Sequence, residues 1–409
     1  MQEQELLPHL FRTEYSKITA VLCKLFGISH IEIAEDIASD TFLRASETWS
    51  IKGLPENPTA WLYVVAKNKA KDYFKHNSLF NEKIAKELQK ESTVIDEIEI
   101  DLSEKNIMDS QLQMLFAICH PSIPIESQIG LALRILCGFG INEIADAFLT
   151  NRETINKRLF RAKEKLRLEK VIIEFPGNAE IDKRLDTVLT TLYLLFNEGY
   201  YSSSQDITLR KDLCIEAMRL THLMVENELT DKPNANALLA LMCFHSSRFD
   251  ARTDKNGDTV LYHDQDTSLW NTELILRGEY FLNRASSGNK LSKFHLDAGI
   301  AYWHTQREDS KEKWENILQL YNQLLLIEYS PIAALNRTFA LSKANGKKEA
   351  VIEAEKLQLN DSHLYQSLLG ELYTDINNTK AIECFKLALK LAKSTADRTV
   401  IENKIRKIK

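Results

Sequence analysis

The sequence predicts an all-α protein that is divided into more than one domain. Only 13 of its 409 residues are glycine and 8 are proline, the two residue types that interrupt helices, while 44% are hydrophobic. Apolar residues recur along most of the chain at the three- and four-residue spacing of amphipathic helices. Because 409 residues exceed the usual size of a single domain, we expect two or three.

The sequence also excludes several classes of protein. The longest apolar runs, such as residues 191–196 and 237–244, are far shorter than the roughly 18 residues that a membrane span requires. The first residues are polar and acidic, unlike a secretory signal, so the sequence predicts a cytoplasmic protein that does not bind a membrane. The 6 cysteines include no CxxC pair, and we expect no metal, no disulfide framework and no other cofactor.

Residues 1–76 are predicted to form a first domain of three helices. In the second of these, one face carries the apolar or small residues Ala34, Ile37, Ala38, Thr41 and Ala45. The opposite, exposed face carries Glu35, Asp36, Asp40 and Arg44. Ser29 and Glu32 have the spacing of a capping box at its start, and a loop over residues 47–57, which includes Trp49, is predicted at its end. The third helix begins near Pro58 and becomes basic and aromatic in its second half.

Charge is distributed unevenly behind a net charge of −6. Residues 59–76 and 151–170 are rich in lysine and arginine, whereas residues 77–110 carry an excess of acidic side chains and no clear apolar period. We therefore predict a flexible or weakly helical acidic linker over residues 77–110. Since this linker has the same sign of charge as nucleic acid, it is either a plain solvated tether or a segment that occupies a basic channel of a partner.

Residues 111–170 are predicted to form a helix-turn-helix domain. One helix ends at Gly138, a second covers residues 141–148, and a third begins at a capping-box pattern formed by Thr150 and Glu153. On the third helix an apolar stripe faces inward, formed by Ile155, Leu159, Ala162 and Leu166. The polar residues of its other face therefore point outward, which is the division that a recognition helix in a major groove requires.

Residues 179–409 are predicted to form a long helical extension of the α-solenoid type. Leu369, Gly370, Tyr373, Ala381 and Phe385 resemble one tetratricopeptide (TPR) unit, so we expect a TPR-like array. One small β-hairpin is predicted to interrupt it, because Asn-Gly at residues 256–257 separates two short segments, 251–254 and 259–262.

The N-terminal segments resemble bacterial extracytoplasmic-function sigma factors of the sigma-70 family. Residues 34–44 (AEDIASDTFLR), 57–62 (NPTAWL) and 66–72 (AKNKAKD) are similar to sigma region 2. Residues 119–123, 128–134, 143–149 and 158–163 are similar to region 4. The extension is similar to that of one sigma subgroup with a helical, TPR-like tail, through residues 193–200, 238–242 and 264–270.

This resemblance implies that the chain binds core RNA polymerase and promoter DNA and that it is not an enzyme. The residues implied in polymerase binding are Glu35, Asp36, Asp40 and Arg44. Those implied at the minus-ten element are Trp49, Lys67, Asn68, Lys71 and Tyr73, a mixture of cations and flat side chains that suits single-stranded DNA. Those implied at the minus-thirty-five element are Arg152, Glu153, Asn156, Lys157, Arg158, Arg161 and Lys163, of which Arg158, Arg161 and Lys163 are expected on phosphate.

Purely structural interpretations also remain open for these residues. The acidic face can be a solvated helix face, Trp49 can be a loop anchor, and the third helix of region 4 can be a basic helix that only screens phosphate charge. In the extension, Asn197, Glu198, Tyr200, Asp264, Asp266 and Trp270 form the candidate motif. Asp264 and Asp266 are compatible with metal binding, but Asp266 is more readily explained as a helix cap.

Two other functions also remain open at this point. One is a helix-turn-helix regulator with a helical domain that senses a ligand or partner. The other is that the C-terminal half is an enzyme or a ligand receptor fused to a regulator. A protein partner that binds the extension is a separate expectation.

Overall fold

A computed structural model of the protein describes residues 3–76, 100–148, 150–200, 210–252, 260, 262–288, 290–392 and 395–408. The chain forms two compact units, Met1–Leu194 and Leu195–Lys409. The helices of the first unit are α1 (Glu3–Phe26), α2 (Ile31–Lys52), α3 (Pro58–His76), α4 (Glu104–Ile118), α5 (Ile125–Leu131), α6 (Ile141–Ala147), α7 (Arg152–Leu168) and α8 (Asn178–Tyr200), and α8 continues into the second unit.

Helix α1 forms the centre of the first unit. It packs against α2, α3, α4 and the helical turn that follows α5. Ile18, Leu22 and Cys23 on α1 are completely buried. The ring of Phe11 lies 4.8 Å from that of Tyr15 and 5.1 Å from that of Phe42 on α2, both measured between ring centroids. Burial of these large apolar side chains holds the helices that carry the polar surfaces in fixed positions.

Several helix boundaries differ from the sequence predictions. Helix α2 continues to Lys52 and therefore includes Trp49, which had been expected in a loop. No capping box forms at Ser29, because residues 28–30 make a separate 3₁₀ turn before α2 begins. The side chain of Asn151, and not Thr150, caps α7 by accepting a hydrogen bond of 2.8 Å from the Thr154 N–H. The inward stripe predicted on α7 is buried as expected.

The structure describes only the C-terminal part of the predicted acidic linker. Residues 77–99 lie outside the described residues. Helix α4 begins at Glu104, inside the predicted range, and Ser103 caps it by accepting a hydrogen bond from the Asn106 N–H. The C-terminal part of the predicted linker is therefore ordered helix, because Ile107 and Ser110 are buried in the first unit.

The second unit is a succession of helices in which neighbours along the chain pack on one another. Its helices are α9 (Lys211–Glu226), α10 (Pro233–Ser246), α11 (Thr272–Ala285), α12 (Lys293–Thr305), α13 (Lys311–Ile327), α14 (Pro331–Ala344), α15 (Lys347–Leu357), α16 (His363–Tyr373), α17 (Asn378–Leu391) and α18 (Thr395–Ile408). Helices α10 and α14 also contact the helix after next, α12 and α16 respectively. At a close contact between neighbours, a Cβ atom on Gly370 of α16 would lie 2.8 Å from the ring of Phe385 on α17. The TPR-like assignment itself remains a prediction.

The predicted β-hairpin is wrong. No strand occurs among the residues that the structure describes, and both ends of the proposed hairpin lie in 3₁₀ turns, Phe249–Ala251 and Tyr262–Asp264. A single backbone hydrogen bond joins the two flanks in the described residues, from the Val260 N–H to the Arg252 carbonyl at 2.8 Å. The Asn-Gly pair lies outside the described residues. An isolated two-stranded hairpin is marginally stable in water, and here the flanking aromatic residues pack in helical turns instead.

Candidate functional site

The exposed face of α2 carries a small acidic ridge. Asp36 and Asp40 lie one helical turn apart and are both exposed, and Arg44 continues the same face. The pKa of the Asp36 carboxyl is raised, first by partial burial and then by the negative charges of Glu35 and Asp40. Asp40 lies 3.3 Å from the Lys69 ammonium of α3, but its side chain is 61% exposed. A pair that is this open to water is weak, so the carboxylate is available to another partner.

Glu35 does not belong to this exposed face, and its predicted exposure is wrong. Its side chain is only 8% exposed and lies between two cations, one in the turn that follows α5 and one on α7. Arg134 donates from Nε to Oε1 at 2.6 Å, and Lys163 donates from Nζ to Oε2 at 2.6 Å. Both carboxylate oxygens are therefore occupied by ion-paired donors, the arrangement that makes burial of a charge tolerable.

Arg134 reaches Glu35 from an irregular turn of helix. After α5 the chain makes a π-helical turn over Ala132–Leu136, with a hydrogen bond from the Cys137 N–H to the Ala132 carbonyl at 3.1 Å. Such wide turns are uncommon and occur frequently at functional positions. The guanidinium of Arg134 also donates to the Phe139 carbonyl at 3.2 Å, which fixes its orientation.

A second acidic residue of α2 takes part in the same contact. Glu32 lies 3.4 Å from the Lys163 ammonium, and its other oxygen pairs with the Arg167 guanidinium. Lys163 is therefore buried between two carboxylates, which cover its ammonium in this structure, and its contact with phosphate stays a prediction. Together, Glu32 and Glu35 of α2 with Arg134, Lys163 and Arg167 form one network, which we call the α2–α7 ion-pair cluster.

The outward face of α7 is otherwise open. Arg152, Glu153, Asn156, Lys157 and Arg161 are exposed. Glu153 pairs with Lys157 at 2.6 Å, and both side chains remain mostly exposed. Since Asn151 supplies the helix cap, Glu153 is free of the capping role and can exchange this weak pair for another partner. Arg158 is half-buried, with its guanidinium 5.2 Å from the centroid of the Phe148 ring, so it is oriented by packing on the residue that ends α6.

Helix α3 presents the basic and aromatic surface expected from the sequence. Asn68 is exposed, and Lys67, Lys71 and Tyr73 are half-buried along the helix. The Tyr73 ring packs edge-on against Phe26, with 5.5 Å between centroids. Trp49 does not share this surface as an open side chain. It is only 8% exposed and packs edge-on against Trp61 at 5.4 Å, so the structure favours the anchor interpretation for it.

Comparison with known proteins finds two family matches in the chain. Residues 10–79 match the family Sigma-70 region 2; this range includes α1 from its residue 10 onward and the whole of α2 and α3. An uncharacterized protein, R00370, of Rhizobium meliloti is 31% identical over 380 residues, which cover 91% of this chain and 89% of the relative. The chain belongs to the sigma-70 family. Residues 184–286 also match a family of unknown function, DUF6596, and no solved structure matches the chain.

Region 2 gives this sigma-70 factor its general role. Its presence indicates a role in transcription initiation. Within the described part of the chain, no helix has both the length and the apolar character needed to cross a membrane.

In the second unit of the sigma-70 factor, the structure brings two parts of the predicted extension motif together. Tyr200 is buried at the end of α8 and accepts a hydrogen bond from Arg248 Nη2 at 3.3 Å. The same guanidinium lies 5.4 Å from the centroid of the Tyr262 ring, which in turn stacks on Trp270 at 6.2 Å. The ring of His245 lies 4.6 Å from that of Tyr200 between centroids; His245 is half-buried, and loss of hydration in this cluster lowers its pKa well below the usual value. This cluster lies inside the DUF6596 match.

The other motif residues have local roles. Asp266 accepts a hydrogen bond of 2.9 Å from the Ser268 N–H and caps the turn Thr267–Leu269, and Asp264 is exposed. Asn197 and Glu198 are half-buried on α8, where burial raises the pKa of Glu198. Among the described residues, no group of three or more histidine, cysteine, aspartate or glutamate side chains is arranged to hold a metal ion.

The sequence did not predict that Glu32, Arg134 and Arg167 take part in the α2–α7 ion-pair cluster. Glu32 had been assigned only to a capping box, and the two arginines had no assigned role. Their partners lie 99 to 135 residues away along the chain, so no local pattern connects them. A signal was nevertheless present, because Glu32 and Glu35 have no cation three or four residues away in their own helix.

Proposed function

We propose that this chain is a sigma factor of the extracytoplasmic-function type. In this proposal α2 binds core RNA polymerase through Asp36, Asp40 and Arg44. Helix α3 binds the melted minus-ten element through Lys67, Asn68, Lys71 and Tyr73. The observation that carries the proposal is the exposed ridge of Asp36 and Asp40 directly beside a basic, aromatic helix, all within the match to region 2.

We further propose that α6 and α7 form a helix-turn-helix that reads the minus-thirty-five element. Arginine and asparagine side chains can form paired hydrogen bonds with guanine and adenine edges, so Arg152 and Asn156 are the residues suited to base readout. Lys157 and Arg161 add phosphate contacts that fix the helix in the groove. The exposure of these four side chains on one stretch of α7 supports the assignment.

The second unit is proposed to support the activity of the first. One observation is consistent with a structural role: two of its motif residues, Asp266 and Tyr200, are engaged in a cap and in a packed aromatic cluster. A TPR-like extension of this kind presents helix faces to partner proteins, which is the role that we assign to it.

The proposal is tested with purified protein and core RNA polymerase. A sigma factor co-elutes with the core enzyme and directs transcription from a linear promoter fragment. A helix-turn-helix regulator instead binds duplex DNA tightly by itself and does not associate with the core enzyme. The second result would reject the proposal, because a regulator needs α6 and α7 but has no use for the acidic ridge on α2.

Replacing both ridge carboxylates is expected to weaken polymerase binding. The double substitution Asp36→Ala and Asp40→Ala removes two exposed charges that pair with basic residues of the partner, and should raise the Kd for core polymerase by about 10- to 100-fold. Thermal unfolding should change little, because both side chains are exposed. Fluorescence anisotropy of the labelled protein titrated with core enzyme measures the effect.

The matched control replaces two other exposed acids of the same domain, Glu47→Ala and Glu56→Ala. It makes the same change in net charge away from the ridge. If the two double variants lose affinity equally, long-range charge explains the effect and the ridge is not the contact.

A further inference from the structure

A group of cationic and aromatic side chains lies together in the second unit, around the ring of Tyr262. The Arg248 guanidinium lies 5.4 Å and the Lys313 ammonium 5.5 Å from the centroid of this ring. Lys313 also donates a hydrogen bond of 3.0 Å to the Tyr262 hydroxyl, and Trp270 stacks on the same ring. Arg248, Trp270 and Lys313 are only 8%, 6% and 2% exposed. We call these four residues the Tyr262 cluster.

The Arg248 guanidinium is buried without an acidic partner among the described residues. Its Nη2 donates to the Tyr200 hydroxyl at 3.3 Å and lies 3.4 Å from Nδ1 of His245, neither of which supplies a negative charge. Its Nε is buried and has no hydrogen-bond partner in the described part of the chain, and the same holds for the indole Nε1 of Trp270. Buried donors without partners are unfavourable and rare in native proteins, so these two indicate that an acceptor binds here.

Lys313 adds a second buried positive charge to the cluster. It lies in the first turn of α13, where the helix dipole is unfavourable for a cation. It donates to the neutral Tyr262 hydroxyl and to the Gln306 carbonyl at 2.8 Å. Its charge reaches Asp309, but that carboxylate is exposed and is bound by Lys343 at 3.1 Å. Contact with an aromatic ring offsets only part of the hydration that a buried cation loses, so the cluster keeps an uncompensated positive charge.

We propose that the Tyr262 cluster binds the phosphate group of a small-molecule ligand. A phosphate group carries roughly 1.5 to 2 negative charges near neutral pH, which matches the two buried cations, whereas a carboxylate would leave one of them uncompensated. Its oxygens accept from several directions, and the donors of the cluster come from three elements: Arg248 follows α10, Trp270 precedes α11, and Lys313 belongs to α13. The site uses none of the residues assigned to polymerase or promoter, so the inference goes beyond the proposed function and does not depend on it.

Binding at this site should stabilise the second unit. Arg248, Tyr262 and Trp270 lie inside the DUF6596 match, whereas Lys313 lies outside it. A phosphate held between them therefore ties the matched segment to the later helices of the unit. Because a ligand that binds only the folded state shifts the unfolding equilibrium, the stability of the second unit should follow the concentration of the phosphorylated molecule.

The site is tested on the full chain with inorganic phosphate as the probe. Calorimetric titration in phosphate-free buffer, with ionic strength held constant by sodium chloride, measures the Kd. At a phosphate concentration ten times this Kd, the unfolding midpoint of the second unit should rise by about 3–5 °C. Hydrogen exchange of α10, α11 and α13 assigns the transition to this unit. Lys313→Met, which keeps an unbranched side chain without its charge, should lose the shift.

Lys293→Met is the matched control, because phosphate also stabilises many proteins as a general salt effect. The Lys293 ammonium likewise lies over an aromatic ring, 5.7 Å from the centroid of Phe294, but it pairs with Glu328 at 3.1 Å. The substitution makes the same change in side chain and net charge within the same unit. It should keep the wild-type shift.

Two further arms test the chemistry of the ligand. Trp270→Phe keeps an aromatic ring on Tyr262 and removes one donor, so it should raise the Kd for phosphate about 10-fold. It also carries the test alone if circular dichroism shows that Lys313→Met is unfolded. Acetate, at the same concentration and ionic strength, should give no shift, because it brings one charge instead of nearly two.

Different results reject different parts of the inference. No binding of phosphate to the wild type at millimolar concentrations rejects the site, and so does an equal shift in the wild type, Lys313→Met and Lys293→Met. An unchanged Kd in Trp270→Phe removes the indole from the site, and equal stabilisation by acetate rejects phosphate as the ligand class. Each of these results leaves the sigma assignment as it is, because that assignment is tested with core polymerase.

Discussion

Replacing Glu35 with alanine is expected to destabilise the first unit by about 2–3 kcal/mol, since removal of one partner from a buried charge pair leaves the others uncompensated. Arg134 would keep only the Phe139 carbonyl, and Lys163 would keep only the more distant Glu32. This loss of stability cannot exceed the free energy of separating α7 from α2. Once the two helices separate, Arg134 and Lys163 are hydrated and are no longer buried charges.

The matched control for Glu35 lies one turn earlier on the same helix. Glu32 has the same chemistry but is 45% exposed, and its partner Arg167 also pairs with Glu164. Glu32→Ala should therefore cost less than about 1 kcal/mol. Urea unfolding followed by circular dichroism, with hydrogen exchange to assign the transition to the first unit, measures both variants.

A triple substitution separates burial of charge from loss of contact. Glu35→Leu combined with Arg134→Met and Lys163→Met replaces the buried ions by apolar side chains, which is often neutral or stabilising. We expect it to recover most of the stability lost in Glu35→Ala. If Glu35→Ala costs no more than Glu32→Ala, the buried ion pairs of Glu35 make no net contribution to the packing of α7 on α2.

The sequence predicted those parts of the site that depend on one helix at a time. The inward stripes of α2 and α7 are buried as their spacing indicates, and the outward residues Asp36, Asp40, Arg152 and Asn156 are exposed. These features follow from helical periodicity alone, because a residue three or four positions away lies on the same face. The acidic ridge and the polar face of α7 could therefore be predicted from residue spacing.

The errors arose where a distant part of the chain decides the outcome. Glu35 has the local pattern of an exposed residue, but its environment is set by Arg134 and Lys163, 99 and 128 residues away. Trp49 follows a run of polar residues, yet packing on Trp61 extends α2 past it. The hairpin was predicted from turn chemistry alone, and turn chemistry does not provide the third strand or the packed face that a hairpin needs.

The DUF6596 match begins within α8, at residue 184, and ends just after α11, at residue 286, so most of it lies in the second unit. It contains the packed cluster around Tyr200 and the sequence Asn197-Glu-Gly-Tyr200, which belongs to the candidate motif of the extension. Experiments on the extension should therefore act on this segment and leave α2, α3 and α7 intact.

A truncation after Lys170 would not test the extension alone, because it also removes α8. Most of α8 belongs to the first unit, where Leu185, Val188 and Leu192 are buried and Thr191 donates a hydrogen bond of 2.8 Å to Gln128. Such a truncation would expose the core around α4 and α5, because each of these apolar side chains contributes about 1.5–3 kcal/mol by burial. Loss of activity would then say nothing about the extension.

The substitution Gly199→Ala is the sharper test, with an expected loss of about 3 kcal/mol from the second unit, at the upper end of the cost of overpacking a core. A Cβ atom at this position would lie 2.6 Å from the Arg210 carbonyl oxygen and 2.7 Å from the sulfur of Cys214. The carbonyl cannot move aside easily, because the Arg210 N–H also donates to the Gly199 carbonyl at 3.0 Å. The clash therefore forces α8 and α9 apart.

Gly177→Ala is the matched control, since a Cβ there meets no atom within 4 Å, and the change at the residue that precedes α8 should cost less than about 1 kcal/mol. Both variants are compared by thermal unfolding and by transcription with core polymerase. If the second unit supports activity, Gly199→Ala loses transcription at temperatures where the first unit is still folded, while Gly177→Ala behaves as wild type. Full transcription by a Gly199→Ala protein whose second unit has unfolded would show that the extension is dispensable, and higher transcription would show that it inhibits. Because the substitution lies outside α2, α3 and α7, each of these results assigns the role of the extension without changing the surfaces that bind polymerase and promoter.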